Sequence, residues 1–319
     1  MATVKAHKTI VCLGRETTYG TAFKTPTVKL PDMMDYTFGN EQIVLPQKTQ
    51  TLAPMVNTSY DGRNAPTVTL SGVLTDTHEE LLGAFFGATT GAYVIAAADI
   101  AADAAGYSYT IVQAVPAASD DLGDGVVATG CRLETLSITK NGAYIGYTAT
   151  FKAKTIDDMV GLSTVGDSWI LTGITDTTYP ELTPFLWQDT TCSLLDTAAV
   201  TKLNTFSLDL TNEFVDDDLS FQNGETRTSL AKCATTGTLT AEWIYDTTSD
   251  ATAYDNLMSQ TPQTDNIILT DGTATWTIAT EGQYTDYAKP DKDKCLFTGN
   301  FTKQLMGSSA VVPITVTIT

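Results

Sequence analysis

The segment from Cys131 to Lys154 constrains the fold of this chain more than any other stretch. Asn141-Gly142 separates two runs of β-forming residues, which favours a hairpin with a two-residue type I′ turn and Lys140 opposite Ala143. The apolar side chains then share one face: Leu136, Ile138, Ile145, Tyr147, Ala149 and Phe151. The hydroxyl side chains share the other: Thr135, Ser137, Thr139, Thr148 and Thr150. A one-residue slip would expose the apolar set, so the segment predicts a half-buried sheet with one hydroxyl-lined surface.

Composition argues against several kinds of binding site. The chain has 319 residues, enough for two domains or one large β domain. Its five cysteines are scattered without a CxxC pair, and only His7 and His78 are histidines. These numbers indicate neither a disulfide framework nor a zinc site, and we expect no cofactor. The scattered cysteines favour folding in a reducing compartment. The chain shows no apolar leader and no run of about 18 apolar residues, so we expect neither a secretory signal nor a membrane span.

Charge and motifs argue against a nucleic-acid binder and an enzyme. The net charge is −19, from 37 acidic and 18 basic residues. Nucleic-acid binders carry basic patches, whereas the basic residues of this chain are dispersed, so we expect no docking through phosphate contacts. The sequence lacks glycine-rich nucleotide loops, a serine-hydrolase elbow and a zinc-protease helix motif. With so many carboxylates, acidic pairs arise by chance, and we predict a protein without enzymatic activity.

The first half of the chain also contains a helix signal and a long irregular segment. Residues 77–80 have capping-box spacing and precede an apolar stripe that ends at Gly87, which predicts a short α-helix with His78 exposed in its first turn. Residues 41–65 contain two prolines and show no clear period, which predicts an irregular loop. Such long loops are uncommon in compact domains unless they are functional.

The second half repeats the first at a nearly constant offset. Asn40 and its neighbours match Asn212 and its neighbours, and the strand around Leu70 matches the strand around Leu239. Further along, residues 148–151 match residues 315–318. We interpret this pattern as a tandem duplication of one β domain that carries one short α-helix, the second helix being expected at 250–258. The predicted domains are 1–155 and 156–319, and residues 213–232 take the place of the irregular loop in the second copy.

Several of these features together resemble one known family. They are the arm at 14–21, the alternating threonine strands, the single helix per copy and the segment from Pro184 to Trp187. The combination resembles the major tail tube proteins of long-tailed bacteriophages. The resemblance implies two tandem β-sandwich or partial-barrel domains whose inner sheets join side by side into a ring. Stacked rings then form the tail tube, a channel through which phage DNA is delivered to the host cell.

The resemblance also assigns roles to individual residues. The hydroxyl face would line the lumen through Thr148, Thr150, Thr315 and Thr317, with Phe151 and Ile318 buried behind them. The long segments would reach the adjacent ring through Glu41, Gln47, Tyr60, Arg63, Glu213, Asp217 and Arg227. DNA would pass through the lumen without specific binding.

Partners and location follow from the same resemblance. A duplicated chain would form homotrimeric, pseudo-hexameric rings, the alternative being a homohexamer with one copy outside the wall. Further partners would be the tape measure protein, the tail terminator and the distal tail or baseplate proteins. The protein would belong to the virion tail and be assembled in the host cytoplasm. A threonine-rich β adhesin, or another virion surface-binding module, remains the alternative from a different class.

Overall fold

The fold was analysed in a computed structural model that describes residues 10–23, 28–29, 34–47, 58–87, 92–94, 108–116, 122–158, 183–194, 203–215, 230–244, 255, 257–260, 262–293, 296–306 and 313–319. The fold is mainly β, as the sequence predicted, and sixteen strands in this part of the chain form one continuous sheet. The first half contains β1 (Ile10–Arg15), β2 (Val28–Lys29), β3 (Met34–Gln47), β4 (Thr58–Val73), α1 (Glu79–Phe86), β5 (Ala92–Val94), β6 (Tyr109–Pro116), β7 (Leu122–Asn141), β8 (Tyr144–Lys152) and β9 (Thr155–Asp158). The second half contains β10 (Thr191–Ser193), β11 (Leu203–Val215), β12 (Ala231–Ile244), β13 (Gln263–Thr270), β14 (Thr275–Asp293), β15 (Leu296–Leu305) and β16 (Ile314–Ile318).

Both halves of the chain pair their strands in the same order. In the first half β3, β4, β8 and β7 follow one another, and in the second half β11, β12, β15 and β14 do so. The first part of β7 pairs with β6 and β9, while the first part of β14 pairs with β13 and β16. β1 pairs with β6, and β10 pairs with β13. The division into domains at 155/156 stays a prediction.

This pairing order corrects the sequence match for the last strand. By its neighbours, β8 corresponds to β15, and β16 corresponds to β9. The match of residues 148–151 with 315–318 is therefore displaced by one strand. The matches around Asn40 and Leu70 agree with the register, since Phe38 pairs with Val68 and Leu210 pairs with Gly237. Alternating threonine strands resemble one another, so a shift by a whole strand preserves the pattern.

One contiguous apolar core lies beneath the sheet. Leu70, Leu136, Ala149 and Phe151 are all buried in the first half, as are Leu239 and Leu210 in the second half. They pack in one cluster with α1 and with residues of β1 and β6. The predicted apolar face of the hairpin is confirmed, because each of its six members is buried. Each large side chain buried in this way contributes about 1.5–3 kcal/mol.

The turn of the hairpin differs from the prediction. Asn141 pairs with Tyr144, and Lys140 pairs with Ile145 rather than with Ala143. Gly142 has a φ of +63°, whereas neither Asn141 nor Ala143 has a positive φ. A positive φ at the first loop position alone is the pattern of a type II′ turn, so the type I′ prediction was wrong. The register moved by two residues, which leaves every side chain on its predicted face.

Helix α1 lies where the sequence predicted it, but His78 does not lie as predicted. Gly87 ends the helix in the left-handed region at φ 81°, the usual helix terminator. His78 precedes α1 in a 3₁₀ turn and is fully buried, not exposed. Its Nδ1 lies 3.0 Å from the Thr75 backbone N–H, which donates to it. Burial lowers the pKa of His78 to about 4. In the second half, residues 255 and 257–259 are helical.

The segment 41–65 is not an irregular loop where the structure describes it. β3 and β4 form one long hairpin whose pairing continues from Met34–Gly72 outward to Gln47–Thr58. The register shifts between Gln42 and Val44, an irregularity of the kind that bends strands and increases their twist. Pro46 is tolerated because, among the described strands, β3 pairs only with β4 and lies at an edge. Proline was read as a loop signal, although edge strands also accept it.

Candidate functional site: a hydroxyl-lined sheet face

Eight strands form an uninterrupted run in the order β3-β4-β8-β7-β11-β12-β15-β14. Their registers align a row of threonines across six of them: Thr37, Thr69, Thr150, Thr135, Thr211 and Thr236. The neighbouring row crosses all eight: Asp35, Ser71, Thr148, Ser137, Asp209, Thr238, Gln304 and Gln283. None of these side chains is buried. The side chains on this face are therefore mostly small, polar and uncharged, with the aspartates Asp35 and Asp209 at intervals.

The two halves of the chain join edge to edge through β7 and β11. Five residue pairs, from Thr139–Ser207 to Thr135–Thr211, hold this junction in antiparallel register. Ser137 Oγ donates a hydrogen bond to Asp209 Oδ1 at 2.6 Å. This junction turns two four-stranded sheets into one surface.

Buried contacts on the apolar side fix the junction in place. Asn212 is buried, and its Nδ2 donates to the carbonyls of Leu133 at 3.0 Å and Phe85 at 3.2 Å. Its Oδ1 accepts from Thr235 Oγ1 at 2.8 Å. One side chain thus ties β11 to β7, to α1 and to β12. An unpaired amide in that position would be costly, so the contacts favour a single register.

The segment 183–190 crosses from one half to the other. The Ile145 backbone N–H donates to the Phe185 carbonyl at 3.0 Å, and the Phe185 N–H donates to the Leu74 carbonyl at 3.1 Å. The buried Phe185 ring lies 5.2 Å from the Trp276 ring of the second half. This segment therefore fastens the turn end of the first hairpin to the core of the second half.

Two strand edges end the eight-stranded run. β3 pairs with β4 alone among the described strands. At the other end β14 pairs with β13 and β16 through its first part, and with β15 from Gly282 onward. In the described part of the chain, the edge of residues 285–288 opposite β15 has no partner strand. Such edges are templates for pairing with another chain.

The structure brings together two of the four threonines expected at a lumen. Thr148 is exposed and Thr150 half-exposed, and both lie on β8 within the hydroxyl face. Thr315 and Thr317 lie on β16, which pairs with β14 and β5 and is not part of the eight-stranded run. Phe151 is fully buried, whereas Ile318 is partly buried against the core.

The residues expected in stacking loops lie mostly on strands. Glu41 and Gln47 are on β3, Tyr60 and Arg63 are on β4, and Glu213 is on β11, exposed. Asp217 and Arg227 lie outside the described residues. From the pair Glu41–Ala65 outward, β3 and β4 pair with each other and with no other strand in the described part of the chain, since β8 pairs with β4 only from Thr67 onward.

Sequence reasoning missed the buried charged groups. Lys303 Nζ lies 2.6 Å from Asp265 Oδ2, with both side chains fully buried. Lys303 also donates to two backbone carbonyls, and the Tyr284 hydroxyl donates to Asp265 at 3.0 Å. Burial lowers the pKa of Lys303, and Asp265 opposes that shift. In strand pairing Lys303 corresponds to Ala149, so an ion pair in the second half stands where the first half is apolar.

A second buried carboxylate anchors the N-terminal arm. Glu16 is 1% exposed and accepts hydrogen bonds from Gly20 N–H, Ser108 Oγ, Thr110 Oγ1 and Gly130 N–H, at 2.7–2.9 Å. Four donors to one carboxylate satisfy it fully. The buried Glu16 side chain therefore anchors the arm at 14–21 to β6 and β7, while Thr17, Thr18 and Thr21 of the arm are exposed.

Comparison with known proteins decides the family. A family model described as phage tail tube protein matches residues 6–318 of the chain. The chain belongs to this family. As a tail tube family member, it is a structural protein of the virion tail.

Other comparisons add little to this assignment. No curated protein matches the chain. A solved chain titled "Virion of native gene transfer agent (GTA) particle" is 13% identical, with 42% of this chain and 97% of that chain covered and a TM-score of 0.31. A score this low supports no conclusion. Among the described residues, no helix is long and apolar enough to cross a membrane, and no cluster of potential metal ligands occurs.

Proposed function

We propose that this tail tube protein polymerises into stacked rings that form the tail tube, through which phage DNA passes to the host cell. The β7–β11 junction carries the proposal, because it joins two equivalent four-stranded sheets edge to edge. The same kind of junction, repeated between chains, would close the sheet into a ring. Closure would pair the edges of β3 and β14 and remove an aggregation liability.

The proposed ring contains three chains with pseudo-sixfold symmetry. Each chain contributes eight strands to the run, so three chains contribute twenty-four. Strands about 4.8 Å apart and tilted by about 40° then enclose a barrel with a backbone diameter of roughly 48 Å. That width exceeds a DNA double helix. The alternative is a homohexamer in which one half of each chain lies outside the wall.

The hydroxyl face is proposed as the lumen surface, with Thr148 and Thr150 among its residues. Threonine and serine side chains keep this surface hydrated and carry no positive charge that could bind DNA phosphates. The net charge of −19 supports repulsion of DNA rather than binding. Because Thr315 and Thr317 lie on β16, outside the run, the lumen assignment is not extended to them.

The outer end of the β3–β4 hairpin is proposed to contact the adjacent ring. This end carries Glu41, Gln47, Tyr60 and Arg63, and within the residues that the structure describes its two strands pair only with each other there. An isolated two-stranded hairpin is marginally stable in water, so a neighbouring surface would stabilise it. Glu213 lies at the corresponding place on β11, and Asp217 and Arg227 are proposed to act with it.

The remaining partners are proposed from the family alone. They are the tape measure protein, the tail terminator and the distal tail or baseplate proteins, with assembly in the host cytoplasm. The protein is proposed to have no enzymatic activity. Turnover of a substrate by the purified chain, abolished by changing one acidic pair, would contradict this.

Electron microscopy of the purified protein tests the proposal. Rings or tubes with three chains per ring are expected. A deletion of residues 47–59 is expected to leave a folded chain that forms no long tubes, since the stacking contact is lost. Dispersed monomers at high concentration would refute the tube, and long tubes from the deletion variant would refute the stacking role.

A further inference from the structure

We propose that β3 of one chain pairs with β14 of a second copy in a register copied from the β7–β11 junction. The inference rests on the proposed ring and specifies which residues meet between chains. It places Thr37 opposite Asp286, Tyr36 opposite Tyr287, and Asp35 opposite Ala288. Each chain thereby contributes one β3 edge and one β14 edge, a head-to-tail contact that closes into a ring.

The register of β3 follows from its correspondence with β11. Tyr36 pairs with Leu70 as Leu208 pairs with Leu239. The same shift makes Thr37 correspond to Asp209. Two independent sequence matches and the strand registers therefore agree on this correspondence.

The register of β14 follows in the same way from its correspondence with β7. Ser137 pairs with Thr148, the partner of Ser71 on β4. In the second half Asp286 pairs with Thr302, the partner of Thr240 on β12. Ser71 and Thr240 are equivalent, since each lies one residue after an equivalent leucine. Asp286 thus corresponds to Ser137, with the β-bulge at Thr285 included.

The chemistry at the inferred contact matches the junction within the chain. There Ser137 on β7 donates to Asp209 on β11 at 2.6 Å. Between chains the inferred register sets Asp286 on β14 opposite Thr37 on β3. A hydroxyl again faces a carboxylate, but the carboxylate now lies on the strand that corresponds to β7 and the hydroxyl on the strand that corresponds to β11. A slip of two residues would set Asp35 opposite Asp286, and like charges directly opposite destabilise a sheet. The side chains therefore favour the inferred register over the slipped one.

Burial also points to β3 as a contact edge. Leu208 and Leu210, which the junction covers, are 1% and 2% exposed. Their counterparts Tyr36 and Phe38 are only partly buried, although they pack against the core. Pairing with β14 would cover these two rings as β7 covers the leucines. The occupant is a second copy because its β14 edge repeats the edge that β7 presents.

Cysteine cross-linking tests the register in assembled protein. Thr37→Cys with Asp286→Cys places two thiols on facing residues, within reach of a disulfide or a short thiol cross-linker. The slipped pair, Asp35→Cys with Asp286→Cys, is the matched control, and the wild type measures background from native cysteines. Ser137→Cys with Asp209→Cys is the intrachain control, which should react without an increase in mass.

The expected result is a ladder of covalent oligomers from the first pair, ending at three chains for a trimeric ring. A stronger ladder from the slipped pair would overturn the register. Tubes in which neither pair reacts would overturn the β3–β14 contact while leaving the tube intact. Failure of the wild type to form rings or tubes would instead refute the proposed function.

An exchange of charges gives a second test that needs no cysteine. Thr37→Asp sets two carboxylates opposite each other, so assembly should require higher protein or salt concentration. Adding Asp286→Ser recreates the Ser137–Asp209 arrangement and should restore assembly. Both variants should fold as monomers, because neither residue lies in the junction within the chain. Equal assembly of Thr37→Asp and wild type would contradict the inferred pairing.

Discussion

Removing the Asp265 carboxylate should destabilise the second half of the protein, because it leaves the charge of Lys303 buried without its partner. Lys303 and Asp265 lie 2.6 Å apart with no exposure of either side chain. Asp265→Ala leaves the ammonium group buried with only backbone carbonyls as acceptors. Breaking a buried ion pair from one side typically costs about 3–5 kcal/mol, and we expect a loss in that range. This is a large fraction of the stability of an ordinary domain.

Urea unfolding followed by tryptophan fluorescence measures this loss. Trp243 and Trp276 are both buried in the second half, so their emission reports on its unfolding. Glu134→Ala is the matched control. It breaks the ion pair with Lys152, which has the same 2.6 Å separation but lies at 23% and 27% exposure. A partly exposed pair contributes about 1 kcal/mol or less.

A double variant separates desolvation from loss of packing. Lys303→Met with Asp265→Leu replaces both charges by apolar groups of similar size, and such replacements are often neutral or stabilising. We expect the double variant to be more stable than Asp265→Ala. The reasoning fails if Asp265→Ala lowers the free energy of unfolding by no more than Glu134→Ala does, since burial would then not increase the cost of breaking an ion pair.

Three further predictions concern single residues, each measured by urea unfolding. Phe151→Ala should cost about 3–5 kcal/mol and Thr150→Ala at most about 0.5 kcal/mol, because only Phe151 is fully buried; comparable losses would mean that the faces are confused. Because the pKa of His78 is lowered in the folded state, the free energy of unfolding should be at its full value above pH 6.5 and about 2 kcal/mol lower near pH 5, where the unfolded chain binds a proton that the folded chain does not. His78→Asn, which keeps the acceptor for Thr75, should remove that loss. Gly142→Ala should cost about 1–2 kcal/mol from its φ of +63° alone, as a Cβ there meets no neighbour; no loss would refute the turn assignment.

The sequence allowed the faces of the central hairpin to be predicted because strand side chains alternate with a period of two. Leu136, Tyr147 and Phe151 were placed correctly even though the turn was displaced, since a two-residue change of register preserves both faces. The turn prediction was wrong because a two-residue loop at Asn141-Gly142 and one at Gly142-Ala143 both place Gly142 at a position that requires a positive φ. Only the pairing across the whole hairpin distinguishes them.

Other errors have a common cause in contacts between distant residues. The match of Thr148 and Thr150 with Thr315 and Thr317 failed by one strand because every strand carries the same alternation. The ion pair of Lys303 could not be predicted, since its partner belongs to a strand that is not adjacent to β15. No local pattern shows which distant strands meet. Residues 41–65 were misassigned because proline marks both loops and edge strands.

In the proposed ring, the β7–β11 junction within a chain contributes to folding, whereas the β3–β14 junction between chains contributes to assembly. Changes at Ser137 or Asp209 act inside one chain, where Asn212 and segment 183–190 also hold the two halves together, so they should affect monomer stability. Changes at Thr37 or Asp286 act only where chains meet, so they should affect assembly and leave the monomer folded. A ring that alternates these junctions has true threefold symmetry, because the hydroxyl and the carboxylate exchange positions from one junction to the next. A sixfold ring of whole chains would instead require every β7 edge to be free of β11, which the five residue pairs within this chain oppose.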